Sequence, residues 1–344
     1  MAKKRLSKVQ QRRVEAKHEQ RLLSNHEQYD ENLFLTPEEG IVISRYGKLA
    51  EVEDKQGQSY RCNIRRTLAS IVTGDRVIWR KSRDLHTNSV IEAIHPRHSE
   101  LVRPDFYDGI KTVAANVDQI MIISAVLPEL SLNIIDRYLV ACAVTKIEPV
   151  IVLNKIDLLD KIQQQAVFNQ LAYYQSLGYR VLFISCLKQQ GLEIFKQTLQ
   201  AKTSILVGQS GVGKSSLIHQ LLPHLSTQVS VGEVSDVSGL GQHTTTATRL
   251  YHLPSGGDII DSPGIREFGL WHLEPQQIMQ GFKEFYDYLS DCQFRDCNHL
   301  TDKNCGLQKA VANGKIAQWR LDNYHRILQT IRDVKVKTNK TFKA

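Results

Sequence analysis

Long apolar runs are missing from this 344-residue chain. The most extended, around Ile120–Leu127, falls far short of the roughly 20 residues needed to cross a bilayer, so no membrane span is expected. The first thirty residues are charged throughout and hold no apolar core, so no secretory signal peptide is expected and a cytoplasmic protein is the default. Nine prolines and twenty glycines are too few for a collagen-like or low-complexity chain. Six cysteines are too few for a disulfide scaffold of this length. What remains is an ordinary globular composition, 42% hydrophobic and 23% charged, in a chain long enough for two or three domains with real cores.

The net charge of +8 is unevenly placed. Residues 1–21 carry eight Lys/Arg against two Glu, and residues 315–344 carry eight Lys/Arg against two Asp. Each end is therefore +6, and the remaining 28 basic and 32 acidic residues leave the middle at −4. Basic ends of this kind suit a polyanion such as RNA; a solvated tail that aids solubility has the same composition.

Residues 1–35 have few apolar positions and read as a disordered tail, or as a helix formed against a partner. From residue 36 to 102 short β-like runs alternate with turn residues, the texture of a five-stranded barrel of OB or SH3-like type. From about residue 103 to 269 near-continuous apolar runs (QIMIISAV, PVIVLN, RVLFIS, TSILVG) alternate with helical spacing, predicting an α/β domain with a parallel sheet covered on both faces. Residues 270–330 read mainly as helices around a cysteine cluster, and 331–344 as a basic tail.

The chemistry is concentrated in four motifs. Gly208-Gln209-Ser210-Gly211-Val212-Gly213-Lys214-Ser215 fits G-x-x-x-x-G-K-S, following an apolar strand and opening a helix at Ser216. Its glycines let backbone N–H groups turn toward phosphate oxygens, Lys214 neutralises the β- and γ-phosphates, and Ser215 is the Mg²⁺ ligand. Asn154-Lys155-Ile156-Asp157 ends another strand and matches the N-K-x-D guanine motif. Asp157 can accept from both guanine N1–H and the exocyclic amine, neither of which adenine offers. Ser185-Cys186-Leu187 ends a third strand and is similar to an S-A-K element, with Cys for Ala and Leu for Lys. Asp261-Ser-Pro-Gly264 matches D-x-x-G, with Asp261 facing Mg²⁺ through water and the Gly264 N–H on the γ-phosphate. The preceding Gly239–Thr246 loop offers a further Mg²⁺ ligand at Thr245 or a neighbour.

The order of these motifs is informative. N-K-x-D precedes the P-loop, which precedes D-x-x-G, so the GTPase is circularly permuted, a change permitted because domain termini commonly lie close together. Whatever follows D-x-x-G is expected to be coupled to nucleotide state. Cys292-x4-Cys297-x-His299-x5-Cys305 follows it. Three thiolates and an imidazole make a closed set suited to one structural Zn²⁺.

Permuted order, the G-x-H-T-T-T-like loop, D-S-P-G and C-x4-C-x-H-x5-C after a β-barrel together resemble the RsgA (YjeQ) family of ribosome-assembly GTPases. The resemblance covers about residues 36–330. It implies a multidomain chain: an N-terminal OB-fold, a central permuted P-loop GTPase domain and a C-terminal zinc-binding helical domain. It also implies action in late maturation of the small ribosomal subunit, contact with its rRNA, and GTP hydrolysis to GDP stimulated by that subunit. Gln242 departs from the family, where that position is commonly basic.

Ile265 stands where Ras-like enzymes place a water-orienting Gln, so intrinsic hydrolysis should be slow. His243 is the candidate replacement; packing or a hydrogen bond within the loop is the alternative role for that side chain. Tyr46, Tyr60 and Trp79 are candidates for stacking on bases, or for the barrel core. Competing classes are a GTP-dependent RNA-binding switch with incidental hydrolysis, a P-loop small-molecule kinase, and a zinc-finger DNA-binding protein. N-K-x-D argues against the kinase, and the short ligand spacing against a DNA-reading finger. Nothing in the sequence demands more than a monomer.

Overall fold

A computed structural model describes residues 33–223 apart from 66, 67, 69, 85 and 106–108, then residues 248–261, and residues 270–341 apart from 271. Thirteen strands are defined among these residues, eleven of them in one continuous sheet.

The first five strands are β1 (Phe34–Tyr46), β2 (Leu49–Glu53), β3 (Ser59–Ile64), β4 (Arg76–Ser82) and β5 (Ser89–Ile94). They follow the order β1-β2-β3-β5-β4, and β1 pairs back onto β4 to close a barrel. The β3–β5 pair is parallel and the other pairs are antiparallel, which is the OB rather than the SH3-like arrangement. Closure follows from the length of β1. Its first half pairs with β4 and its second half with β2, with a register shift between Val42 and Ser44. The interior is filled by alternate residues such as Val42, Val52, Cys62, Val77, Trp79 and Ile91, all fully buried. Trp79 is therefore barrel core, its ring tilted against Tyr60 with centroids 4.9 Å apart, while Tyr46 remains exposed.

A separate hairpin, β6 (Glu100–Asp105) and β7 (Gly109–Ala115), follows the barrel. The boundary expected at residue 102 falls inside β6, since two short strands of mixed polarity carry no local mark of which neighbour they serve.

The same sheet continues from β1 through β8 (Gln119–Ala125), β9 (Glu148–Asn154), β10 (Arg180–Phe183), β11 (Thr203–Val207), β12 (Arg249–His252) and β13 (Asp258–Asp261), in the order β10-β9-β8-β11-β13-β12 with β12 beside β1. Within these six strands all pairs are parallel except β12–β13. Every residue of β8 is buried, and the strand feeds both faces of the sheet. Ile120 and Ile122 enter one core, Met121 and Ile123 the other. Burying each such side chain contributes roughly 1.5–3 kcal/mol. Helices α1 (Leu132–Thr145), α2 (Lys161–Ser176), α3 (Leu192–Leu199) and α4 (Lys214–Leu221) cover these faces. α2 starts on a capping box, with the Asp160 carboxylate accepting from Gln163 N at 2.8 Å and Gln163 Oε1 accepting from Asp160 N at 3.1 Å.

The C-terminal region comprises α5 (Pro275–Met279), a 3₁₀ segment Lys283–Asp291, α6 (Gly306–Ala312) and α7 (Gln318–Thr341). The tail expected from residue 331 is instead the continuation of α7, which reaches Thr341. Lys and Arg are good helix formers, so a basic composition reads as a tail while costing the helix little. Phe282, Phe285 and Tyr324 pack on one another and join the core that Ile120 and Ile122 enter. At this junction Arg320 donates to Asp136 at 2.5 Å and to Glu284 at 2.6 Å. Asp136 also accepts from Tyr174 at 2.5 Å and Asn323 at 2.6 Å. Burial works against the guanidinium charge, but Asp136 and Glu284 outweigh it and push the Arg320 pKa up. No helix among the described residues is long and apolar enough to cross a membrane.

Candidate nucleotide site and cysteine–histidine centre

β11 delivers the chain into the Gly208–Ser215 loop, and α4 begins at Lys214, so the strand–loop–helix context of a phosphate cradle is complete. Two glycines are dictated by close approach. A Cβ on Gly208 would lie 2.1 Å from the Ile123 carbonyl oxygen, and one on Gly213 would lie 2.4 Å from Asn154 Nδ2. Both also have positive φ, 145° and 98°. Val212 is buried beneath the loop, while Gln209, Ser210, Ser215 and Ser216 are exposed along its open side. The Lys214 ammonium rests on the carbonyls of Gly208 at 2.7 Å and Gln209 at 2.5 Å, inside the cradle where phosphate oxygens would draw it outward.

β9 carries N-K-x-D to the same edge of the sheet. Asn154 is buried and ties three loops together. Its Nδ2 donates to Val212 O at 2.9 Å, and its Oδ1 accepts from Lys155 N at 2.8 Å and Cys186 N at 3.1 Å. Lys155, with φ 65°, sends its ammonium to Leu127 O at 2.7 Å and Gly211 O at 2.6 Å, laying its stem across the gap between the loops. Ile156 is buried under the turn, and its N–H donates to Ile184 O at 3.3 Å, so this residue anchors the motif. Ser185 Oγ donates to Asp157 Oδ1 at 2.5 Å and accepts from Lys188 N at 2.9 Å. One carboxylate oxygen of Asp157 is thereby fixed, and the side chain faces a cleft of about 550 Å³ that Cys186, Gly213 and Ser216 also line.

Leu187, the last residue of the S-A-K-like element, lines that cleft as well, together with Leu158, His219 and Gln220, which the sequence did not single out. For His219 and Gln220 a signal existed: they stand three and four residues after Ser216, on the same face of α4.

Asp261 ends β13, the parallel neighbour of β11, so the acidic residue of D-x-x-G leaves the sheet beside the strand that feeds the P-loop. His243, Thr245 and Gly264, with the loop at Gly239–Thr246 and Ile265, lie outside the described residues.

Cys292, Cys297, His299 and Cys305 converge, their ligand atoms all within 4.8 Å of one another. His299 Nδ1 lies 3.6 Å from the Cys292 sulfur and 3.5 Å from the Cys305 sulfur, which identifies Nδ1 as the inward nitrogen. Tetrahedral zinc with Zn–S near 2.3 Å requires sulfurs about 3.8 Å apart, so the set fits one ion of that size with little movement. Local structure presents each ligand. Cys305 caps α6, His299 adopts φ 63°, and Gly306 N donates to the Cys292 sulfur at 3.2 Å. Burial pushes the His299 pKa down, toward the neutral imidazole that coordinates metal. The four residues can hold a metal ion and supply all four positions of a tetrahedron.

A P-loop and an N-K-x-D loop, bonded to each other at the ends of parallel strands and in reversed chain order, define a circularly permuted GTPase. Residues 94–271 match the family model described as RsgA GTPase. The chain is 58% identical over 348 aligned positions to the "Small ribosomal subunit biogenesis GTPase RsgA" of Klebsiella pneumoniae subsp. pneumoniae, covering 99% of each chain. The protein of the same description from Klebsiella pneumoniae strain 342 shows the same identity and coverage. Among solved structures, YjeQ from Thermotoga maritima aligns with 33% identity and a TM-score of 0.68 over 86% of this chain and 98% of that one. YloQ, described as a circularly permuted GTPase, aligns with 26% identity and a TM-score of 0.67 over 90% and 98%. The chain belongs to the RsgA GTPase family.

Proposed function

We propose that this GTPase hydrolyses GTP to GDP and phosphate as a checkpoint in late maturation of the small ribosomal subunit, binding its rRNA and being stimulated by the subunit. The observation that carries this reading is the guanine cleft built by Asn154, Asp157 and Ser185 against the P-loop. It stands in a chain matched over its full length by relatives named for small-subunit biogenesis.

Asp157 selects guanine, Asn154 holds the base loop to the P-loop, and Lys155 covers the purine with its alkyl stem. Ser185 and the Cys186 N–H complete the base pocket around Ile156. The backbone of Gly208–Gly213 and Lys214 hold the phosphates, with the first turn of α4 at Ser215 and Ser216 adding its positive end. Magnesium, when bound with nucleotide, neutralises charge on the β- and γ-phosphate oxygens; Ser215, Asp261 and Thr245 would hold it. Gly264 N–H takes the γ-phosphate, and His243 positions the attacking water in place of the Gln that Ile265 replaces. Cys292, Cys297, His299 and Cys305 hold a structural zinc, leaving no open position for catalysis. The barrel and the basic ends engage RNA through phosphate contacts. The reading places the protein in the cytoplasm as a monomer.

The test is multiple-turnover GTP hydrolysis titrated with purified small subunits across a salt series, with metal content measured on the same preparation. Stimulation that falls steeply with salt, and one zinc per chain, are expected. A rate indifferent to subunits would leave a GTP-dependent binding switch as the better description.

A further inference from the structure

The barrel and the nucleotide sheet meet along β12. Ser44 of β1 pairs in register with Arg249, and Arg249 pairs in register with Asp261 across the β12–β13 ladder. Ser44 Oγ and Thr73 Oγ1 both donate to the Thr248 carbonyl, at 2.8 and 2.9 Å. The Arg249 guanidinium donates to both carboxylate oxygens of Glu51 on β2, at 2.7 and 3.0 Å, and to Tyr46 Oη at 3.2 Å. At the other end of β12, His252 is held between Glu53 of β2 at 2.7 Å and Asp258 of β13 at 2.6 Å. Glu51 and Glu53 stand two apart on β2, so one face of a barrel strand holds both ends of β12. No residue in these contacts belongs to the nucleotide cleft, yet the strand they hold is hydrogen-bonded to the one that ends on Asp261.

We infer that Arg249 and Glu51 are positioning residues for the stimulated reaction and not for basal hydrolysis: their forked pair passes a displacement of the barrel to β12 and, through the ladder, to Asp261. An RNA surface that shifts or braces the barrel then biases the carboxylate on the magnesium side. By reciprocity, nucleotide state alters the affinity of the barrel for that surface. A fork of two charge-assisted bonds is suited to this role because it fixes orientation as well as distance, which a single Lys contact does not. The inference rests on the proposed stimulation by the small subunit.

The experiment compares wild type, Glu51→Gln and the exchange Glu51→Arg with Arg249→Glu. It measures turnover without and with saturating purified subunits, and subunit affinity in GDP and in a non-hydrolysable GTP analogue. Wild type is expected to be stimulated and to distinguish the two nucleotides by about 5–150-fold, the usual range of such coupling. Glu51→Gln should keep basal turnover and nucleotide affinity, lose about tenfold of the stimulated rate, and bring the affinity ratio toward one. The exchange should recover part of both. If wild type itself is not stimulated, the proposed function fails. If wild type is stimulated and Glu51→Gln matches it, or if basal and stimulated rates fall in equal proportion, the positioning role is wrong. An exchange that recovers nothing overturns the pairing of these two residues.

Discussion

At the C-terminal junction of the GTPase sheet, Arg320 and Asp136 are fully buried, and the helices share one apolar core with the sheet. At the barrel junction, Arg249 and Glu51 retain 34% and 19% side-chain exposure, and the barrel interior is a separate core, although Ile43 of β1 reaches into the core of the GTPase sheet. Breaking a buried pair strands a charge in low dielectric, whereas the groups of a partly exposed pair can be resolvated in part when it breaks. The helical region is thus joined to the sheet through a dry ion pair, and the barrel through a partly solvated one beside the β1–β12 pairing. By chain order the residues after D-x-x-G would be the ones coupled to nucleotide. The residues directly after Asp261 lie outside the described ones; among those described, β12, which precedes D-x-x-G, pairs with both β1 of the barrel and the strand that ends on Asp261.

Arg320→Ala should have the largest effect, because it leaves Asp136 and Glu284 without a counter-ion. A loss of about 3–5 kcal/mol in denaturant unfolding is expected. A loss below about 1 kcal/mol would mean the two junctions do not differ in kind. Between them lies the cleft, and Asp157→Ala should weaken GTP binding by about 100-fold while leaving the weaker ATP binding unchanged, as titration with each nucleotide would show. Equal losses for both would mean Asp157 acts on the loop and not on the base. Glu51→Gln, by contrast, should cost at most about 1 kcal/mol of unfolding free energy. A loss as large as that of Arg320→Ala would remove the distinction drawn here.

The smallest effect concerns pH. His252 accepts its proton more readily in the folded protein, chiefly through its hydrogen bond to Asp258, and its pKa is pushed up to about 9 from 6.5. Stabilisation by the charged ring is therefore complete below about pH 6.5 and is lost as pH rises through about 9. The difference in Tm between wild type and His252→Gln should be greatest near pH 6 and vanish by about pH 10. A difference independent of pH would show that the ring acts by packing alone.

Much of the sheet was legible because its strands are apolar on both faces, a pattern that β8, β9 and β11 carry locally. The nucleotide motifs were legible for a related reason: a phosphate cradle needs glycines at fixed spacing, and Asn154 and Asp157 sit in one tetrapeptide. The cysteine cluster also announced itself by spacing. What escaped was made by residues far apart in sequence. Arg320 and Asp136 lie 184 residues apart, and Arg249 and Glu51 lie 198 apart. β12 is the tetrapeptide Arg-Leu-Tyr-His, too short and too polar to display a strand period, and its pairing with the barrel is visible only in three dimensions.

The most direct measurement is hydrogen exchange on the full chain in GDP and in a non-hydrolysable GTP analogue, read at the two junctions. The expected result is a change in protection at residues 41–46 and 249–252, with residues 135–142 and 318–328 unchanged. A change confined to the latter segments, with the barrel seam indifferent to nucleotide, would contradict the assignment of the barrel as the domain that Asp261 answers to.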